Sequence, residues 1–264
     1  MVTEKFGICL FSSIPGRAEA ADKSEMITHL LFGETYTVLD DTSKKNWIHV
    51  KCAYDQYECW IDRGLNSDIP ADEFARWNAE KKHVTESLLT TVTNKKTGLS
   101  FPIVRGSSVI NSGNHEFTVA GQTFRYKEED NEFRSKNIAD SIKEFSKTYL
   151  NAPYLWGGRS PFGLDCSGFS QIVFKHAGIS LPRDAYQQAE EGTVVPFVSE
   201  ARTGDLAFFE NADGKIIHVG IVLDEGEIIH ASSFVKIGKL DHEGIFNLEH
   251  QKYTHKLRIV KRIF

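Results

Sequence analysis

Short alternations of apolar and polar residues, broken by turn residues, run through the first half of the chain. TYTVLDD (35–41), NWIHVKC (46–52) and YECWIDR (57–63) place apolar side chains at alternate positions, the period of half-buried strands. One helical stretch, ADEFARWNAE (71–80), interrupts them, and LLTTVT, FPIVRGSSV and HEFTVAGQTFRYK then resume short strands around glycines. Even spacing of short strands predicts two small all-β barrels, residues 1–66 and 83–128, joined by a helical connector at 67–82.

The texture changes near residue 130, where the acidic stretch KEEDNEFRSK (127–136) reads as a linker. Beyond it Ile138, Ile142, Phe145 and Tyr149 recur at spacings of four, three and four, the apolar stripe of an amphipathic helix. A second helix is predicted after Asp165, followed by the strands LAFFEN, KIIHVGIVL, EIIHASS and KLRIVKRIF. Helices first and an antiparallel sheet afterwards make residues 132–264 an α+β domain. That order suits a nucleophile on a helix facing a sheet that presents its base.

Composition narrows the classes of function. A chain of 264 residues, 41% hydrophobic and 25% charged, is an ordinary globular composition with room for two or three domains. The formal net charge of -5 and a pI near 6.1 give no footprint for nucleic acid. No apolar run approaches the roughly 18 residues that span a bilayer. The start, MVTEKFGICLFSS, lacks a basic leader region, and Pro15, Gly16 and Arg17 follow too early for a signal peptide. A cytoplasmic location is therefore expected, with a periplasmic or secreted one as the alternative if an export signal is missing. Cys9, Cys52, Cys59 and Cys166 require no disulfide framework. Cys52 and Cys59 flank the hairpin-like AYDQYE and could meet across two strands, with buried free thiols as the simpler expectation. No Cys or His spacing suits zinc, so neither a metal nor another cofactor is expected. Nothing fixes the oligomeric state; a monomer is the default.

Candidate chemistry concentrates in YLWGGRSPFGLDCSGFSQIVFKHAG (154–178). Gly157, Gly158, Pro161 and Gly163 form a loop that cannot be helical, Asp165 is a good N-cap, and Cys166 falls in the first turn. Unpaired N–H groups and the helix dipole favour negative charge there, so the thiol is expected to ionise more easily. The same N–H groups can hold an oxyanion. A thiolate needs a base and the base an orienting partner. His218 in KIIHVGIVL and His230 in EIIHASS share one sheet face only if the loop between their strands has the right parity. A two-residue loop pairs 218 with 233 and sends His230 to the opposite face. A three-residue loop, Asp224-Glu225-Gly226, pairs 218 with 232 and makes His230 a same-face diagonal neighbour of His218. Gly226 suits the left-handed third position of that loop. His176, His242, His250 and His255 lack comparable context and read as surface or core histidines.

GGRSPFGLDCSGF, LPRDAYQQ (181–188), TGDLAFF (203–209), HVGIVL (218–223) and IIHAS (229–232) resemble, in order, the NlpC family of papain-like bacterial cell-wall endopeptidases. The resemblance implies Cys166 as nucleophile, His218 as general base, His230 as the residue orienting it, and Tyr154 beside the oxyanion. The two N-terminal blocks resemble bacterial SH3-like domains, and LLFGETYTVLDDT with NWIHVKCAYDQYECWI is similar to the first such domain of a subgroup, the γ-D-glutamyl-L-diamino-acid endopeptidases. Those trim murein peptides bearing a free N-terminal L-alanine. The subgroup implies Glu19 and Tyr54 at the closed end of the cleft, with Asp165 and Ser167 as further substrate contacts; a carboxylate pair there would hold a free ammonium. The implied partner is a murein peptide. Two other functions fit parts of the same pattern. One is an autolysin or endolysin that acts on intact peptidoglycan through wall-binding SH3-like domains. The other is a wall-binding protein with a degenerate catalytic domain.

Overall fold

The structure is a computed structural model that describes residues 4–110, 114–127, 137–224, 226–248 and 250–264. The chain divides into two compact units, residues 1–131 and 132–264. The linker expected at 127–136 lies outside the described residues beyond Lys127.

In the first unit, seven strands form an antiparallel sheet ordered Met26–Leu31, Ser13–Arg17, Glu58–Asp62, Trp47–Cys52, Thr35–Asp40, Lys5–Ile8, Asp68–Ile69. The period-two reading explains it: Trp47–Cys52 buries Ile48, Val50 and Cys52 and leaves the residues between them half-exposed. Cys52 and Cys59 meet across two strands as buried free thiols. Beyond the helix Ala71–Ala79, a four-stranded sheet runs Ser100–Val104, Leu89–Asn94, Gln122–Lys127, Glu116–Val119, beside a ladder of Lys82–Val84 with Ser108–Ile110.

The first block closes around a core of its own, with Ile14, Leu30, Tyr36, Ile48, Val50 and Ile61, and shares a second core with the block that follows. Ile8, Leu10 and Phe32 of the first join Trp77, Val92, Phe117 and Phe124 in a single buried cluster. The Trp77 indole N–H donates to the Gly33 carbonyl at 2.9 Å, and the Ser108 N–H donates to the Phe32 carbonyl at 2.8 Å. Gly33, at φ +81, could carry no side chain here, because a Cβ would lie 1.9 Å from the Ser108 carbonyl oxygen.

In the second unit, α1 (Ile138–Lys147) is capped by Asn137, whose side chain accepts from the Asp140 N–H. Its stripe buries Ile142 and Phe145, with Tyr149 just past its end. The helix α2 (Cys166–His176) is almost wholly buried, and the short α3 (Ala185–Gln188) packs beside it. Ser170 Oγ on α2 donates to Gln188 Oε1 at 2.7 Å, locking the two together.

Seven strands follow: β1 (Thr193–Val195), β2 (Leu206–Glu210), β3 (Ile216–Val222), β4 (Glu227–Ser232), β5 (Phe234–Leu240), β6 (Gly244–Asn247) and β7 (Lys252–Arg262). They run β1-β7-β2-β3-β4-β5-β6, and β6 also pairs with β7. The antiparallel sheet expected from the sequence is therefore closed into a six-stranded barrel. The closing strands β5 and β6 were not separable by pattern: FVKIGKL and GIFN lack a clean alternation of burial.

Trp77→Ala removes the side chain that ties the two N-terminal blocks together. It should cost about 3–5 kcal/mol, and chemical denaturation should show both blocks melting in one transition.

Candidate active site

The loop between β3 and β4 fixes the positions of two histidines. Ile221 pairs with Ile229, Val222 with Ile228, and the Leu223 N–H donates to the Glu227 carbonyl at 2.8 Å. This is the register of the three-residue loop, with Gly226 at φ +68 in its left-handed position. Both imidazoles then leave one face, and His218 Nε2 hydrogen-bonds His230 Nδ1 at 2.8 Å, with the rings nearly perpendicular.

Cys166 is the first residue of α2, and Asp165 is its cap, accepting from the Gly168 N–H at 2.6 Å. The Asp165 carboxylate also accepts from the Gly157 N–H at 2.8 Å, which ties the glycine loop to the helix start. That approach depends on small residues: a Cβ on Gly168 would lie 2.2 Å from the Gly158 carbonyl oxygen. Behind both stands Arg183, 1% exposed, which donates to Asp165 at 2.5 and 3.0 Å and to Ser167 Oγ at 3.0 Å. The backbone N–H of Val219, the residue after His218, lies near enough to the Cys166 sulfur to favour its charged form. Nucleophile helix and base strand therefore meet at neighbouring residues. Tyr154 is half-buried, its backbone N–H bonded to the Ser233 carbonyl at 2.9 Å. Burial raises its hydroxyl pKa, and a charge on Cys166 or Asp165 would raise it further.

Electrostatics depart from the sequence expectation. Burial pushes the Cys166 thiol up to about 12, and the Asp165 charge adds to the rise. The Val219 and Ser167 N–H groups and the Arg183 guanidinium pull the other way without overcoming it. The ease of ionisation expected from the helix start is thus absent, because desolvation of the sulfur outweighs the dipole. His218 is held well below its ordinary 6.5, first by burial and then by His230, His255 and Lys236. His230 is lowered to about 3, again by burial first, then by His255 and Lys236. The resting pair is a neutral thiol beside a neutral imidazole.

Six of the eight residues singled out from the sequence, Tyr154, Asp165, Cys166, Ser167, His218 and His230, belong to this unit. Glu19 and Tyr54 belong to the other: Glu19 is exposed in the loop before Met26–Leu31, and Tyr54 is half-buried in the turn after Trp47–Cys52. Asp165 is almost wholly buried, and its oxygens are taken by Arg183 and two backbone amides.

His255 is the residue that sequence reading passed over. Barrel closure brings it onto His218, rings stacked 4.2 Å apart between centroids. A signal was available, since His255, Leu257 and Ile259 are half-buried while Lys256 and Arg258 between them are exposed. His218, His230 and His255 present nitrogens within 4.8 Å of one another, a set that could hold a metal ion. The hydrogen bond between His218 and His230 would have to open for both to serve as ligands.

Residues 151–258 match the NlpC/P60 family, and residues 16–64 match the bacterial dipeptidyl-peptidase Sh3 domain. A Bacillus subtilis protein named gamma-D-glutamyl-L-lysine dipeptidyl-peptidase is 41% identical over 133 residues, which span half of this chain but only 43% of that protein. One of the same name from Bacillus cereus is 30% identical over 231 residues, 79% of this chain and 68% of that protein. The chain belongs to the NlpC/P60 family. The crystal structure of an NlpC/P60 family protein from Bacillus cereus superposes with a TM-score of 0.78 at 19% identity, covering 98% of this chain and 99% of that one. The architecture is accordingly the papain-like NlpC/P60 fold with an N-terminal SH3-like domain.

Removing one partner from the buried Asp165–Arg183 pair leaves an uncompensated charge. Arg183→Met should lower the unfolding free energy by about 3–5 kcal/mol, and adding Asp165→Asn should recover part of that loss in the same denaturation assay.

Proposed function

We propose that this protein is a cysteine peptidase that hydrolyses the γ-D-glutamyl-L-diamino-acid bond of murein peptides carrying a free N-terminal L-alanine. The observation that carries the reading is Cys166 at the start of a helix, its sulfur beside the backbone N–H of the residue after His218, whose ring is in turn held by His230. A nucleophile, a base and an orienting group stand in the required sequence. Support for the substrate class comes from the relatives' names, and from a match to a dipeptidyl-peptidase Sh3 domain in the chain's first unit. In this reading the chain has a first SH3-like barrel at 1–66, a connector at 67–82, a second SH3-like barrel at 83–128 and the peptidase at 132–264. Glu19 and Tyr54, with Asp165 and Ser167, serve recognition of the peptide's N-terminal end. For Asp165 this role is indirect, through the shape it gives the helix start, because Arg183 already neutralises it.

The steps follow from the neutral resting pair. As Cys166 sulfur attacks the γ-carbonyl carbon, its proton passes to His218. The oxyanion is held by N–H groups at the start of α2 and by the Tyr154 hydroxyl. The carbon–nitrogen bond then breaks as His218 returns that proton to the leaving amine, giving a thioester. Water attacks the thioester, its proton taken by His218 and passed back to the sulfur, and L-Ala-γ-D-Glu departs. His230 keeps the ring oriented throughout.

Incubation with L-Ala-γ-D-Glu-diaminopimelate and with its N-acetylated form tests the assignment. Cleavage of the first alone is expected, and none by Cys166→Ala. Equal cleavage of both would remove amine recognition while leaving the peptidase. His230→Asn should lower kcat by roughly 10²-fold.

The pH profile follows from the depressed histidines. A proton on free His218 abolishes the base, and His218 takes one up only well below 6.5. The acid limb of kcat/KM should therefore lie well below 6.5, and a limb at the ordinary histidine value would overturn the neutral resting pair.

A further inference from the structure

Beside the histidine pair, and within the same unit, lies a pocket of about 300 Å³ bounded by His230 and His255. Its walls include Phe234, Phe246 and Leu248, and Lys236 also lines it. Lys236 on β5 is the direct cross-strand partner of His230 on β4, so the two side chains leave the same face of the sheet. Its ammonium rests 5.1 Å from the centre of the Phe234 ring, steadied by the ring's negative face. Among the described residues no carboxylate lines this pocket and no ion pair holds Lys236. A half-buried cation with apolar walls and no internal counter-ion suits a ligand that combines an aliphatic chain with a carboxylate.

We infer that this pocket receives the amino acid on the leaving side of the scissile bond and that Lys236 reads a carboxylate on it. The inference rests on the function proposed above. His218 must reach the leaving amine to protonate it, so the residue carrying that amine lies on the histidine side of the site, away from α2. His230 and His255, which flank His218, form the rim of the pocket. A diamino acid matches the lining: its chain lies along Phe246 and Leu248, and its carboxylate meets Lys236. Lysine at the end of the peptide offers one carboxylate, on its α-carbon, whereas diaminopimelate offers a second at the far end of its side chain. Both present the same chemistry to the ammonium.

Four peptides separate these sources at pH 8: L-Ala-γ-D-Glu-L-Lys, its C-terminal amide, L-Ala-γ-D-Glu-diaminopimelate, and that last peptide amidated at the far carboxylate only. If Lys236 reads the α-carboxylate, the lysine amide should lose about 10- to 100-fold in kcat/KM relative to the acid. If it reads the far carboxylate, the same loss should appear between amidated and free diaminopimelate peptides. In either case Lys236→Met should impose that loss on the sensitive acid and add none to its amide, and Lys236→Arg should restore most of it. An equal effect of Lys236→Met on every peptide, or no effect on any, would remove the carboxylate assignment while wild-type cleavage kept the peptidase reading intact. No cleavage of any peptide by the wild type would remove the peptidase reading, and this pocket's role with it.

Discussion

The Asp165 carboxylate holds together three pieces of chain at the start of one helix. It caps α2 through Gly168, anchors the glycine loop through Gly157, and neutralises a buried guanidinium from the segment before α3. A carboxylate and a guanidinium this deeply buried are each costly to desolvate alone. Paired, and with hydrogen bonds to the remaining lone pairs, they become a fixed point. Cys166 is the next residue, so its sulfur inherits that position without needing a bond of its own to set it. The glycines follow from the same constraint, since a side chain on Gly168 would push the loop off the helix and one on Gly158 would strike Gly163 within the loop.

The opposite wall of the site is fixed by register. A strand exposes a new face with every residue, so the loop between β3 and β4 decides whether His218 and His230 cooperate or never meet. The left-handed Gly226 selects the length that brings them together. The same alternation then places Lys236 opposite His230 on the next strand. One turn residue thereby sets a base and its orienting partner, and it sets which residue stands beside them.

Local signals were legible and closure was not. Period-two burial, the N-cap at Asp165, the stripe of α1 and the parity of the histidine hairpin all depend on neighbours within a few residues, and the sequence carries them openly. The barrel depends on β6 meeting β7 and on β5 bridging to β6, contacts whose strands bury irregularly. His255 went unread because its value comes only from that closure. The shared core of the N-terminal blocks escaped for the same reason, since Phe32 gives no sign in sequence that its ring will meet Phe117 and Phe124. The ionisation state failed differently. Helix position was read correctly, but a dipole contribution was weighed without the burial that opposes it.

That burial changes what the site must do. A thiol pushed upward beside an imidazole pushed downward holds the same total number of protons as the ion pair, with the proton on sulfur instead of nitrogen. Moving it creates two opposite charges together in a poorly solvated space, where each is worth more to the other than it would be in water. The charges also arise where donors already wait: backbone N–H groups at the mouth of α2 for the sulfur and the oxyanion, and the His230 ring for the imidazolium. A bound substrate that excludes water strengthens each of these interactions at the moment the proton moves. The site is thus quiet because its groups are buried, and the same burial makes it responsive once a peptide bond is held between them.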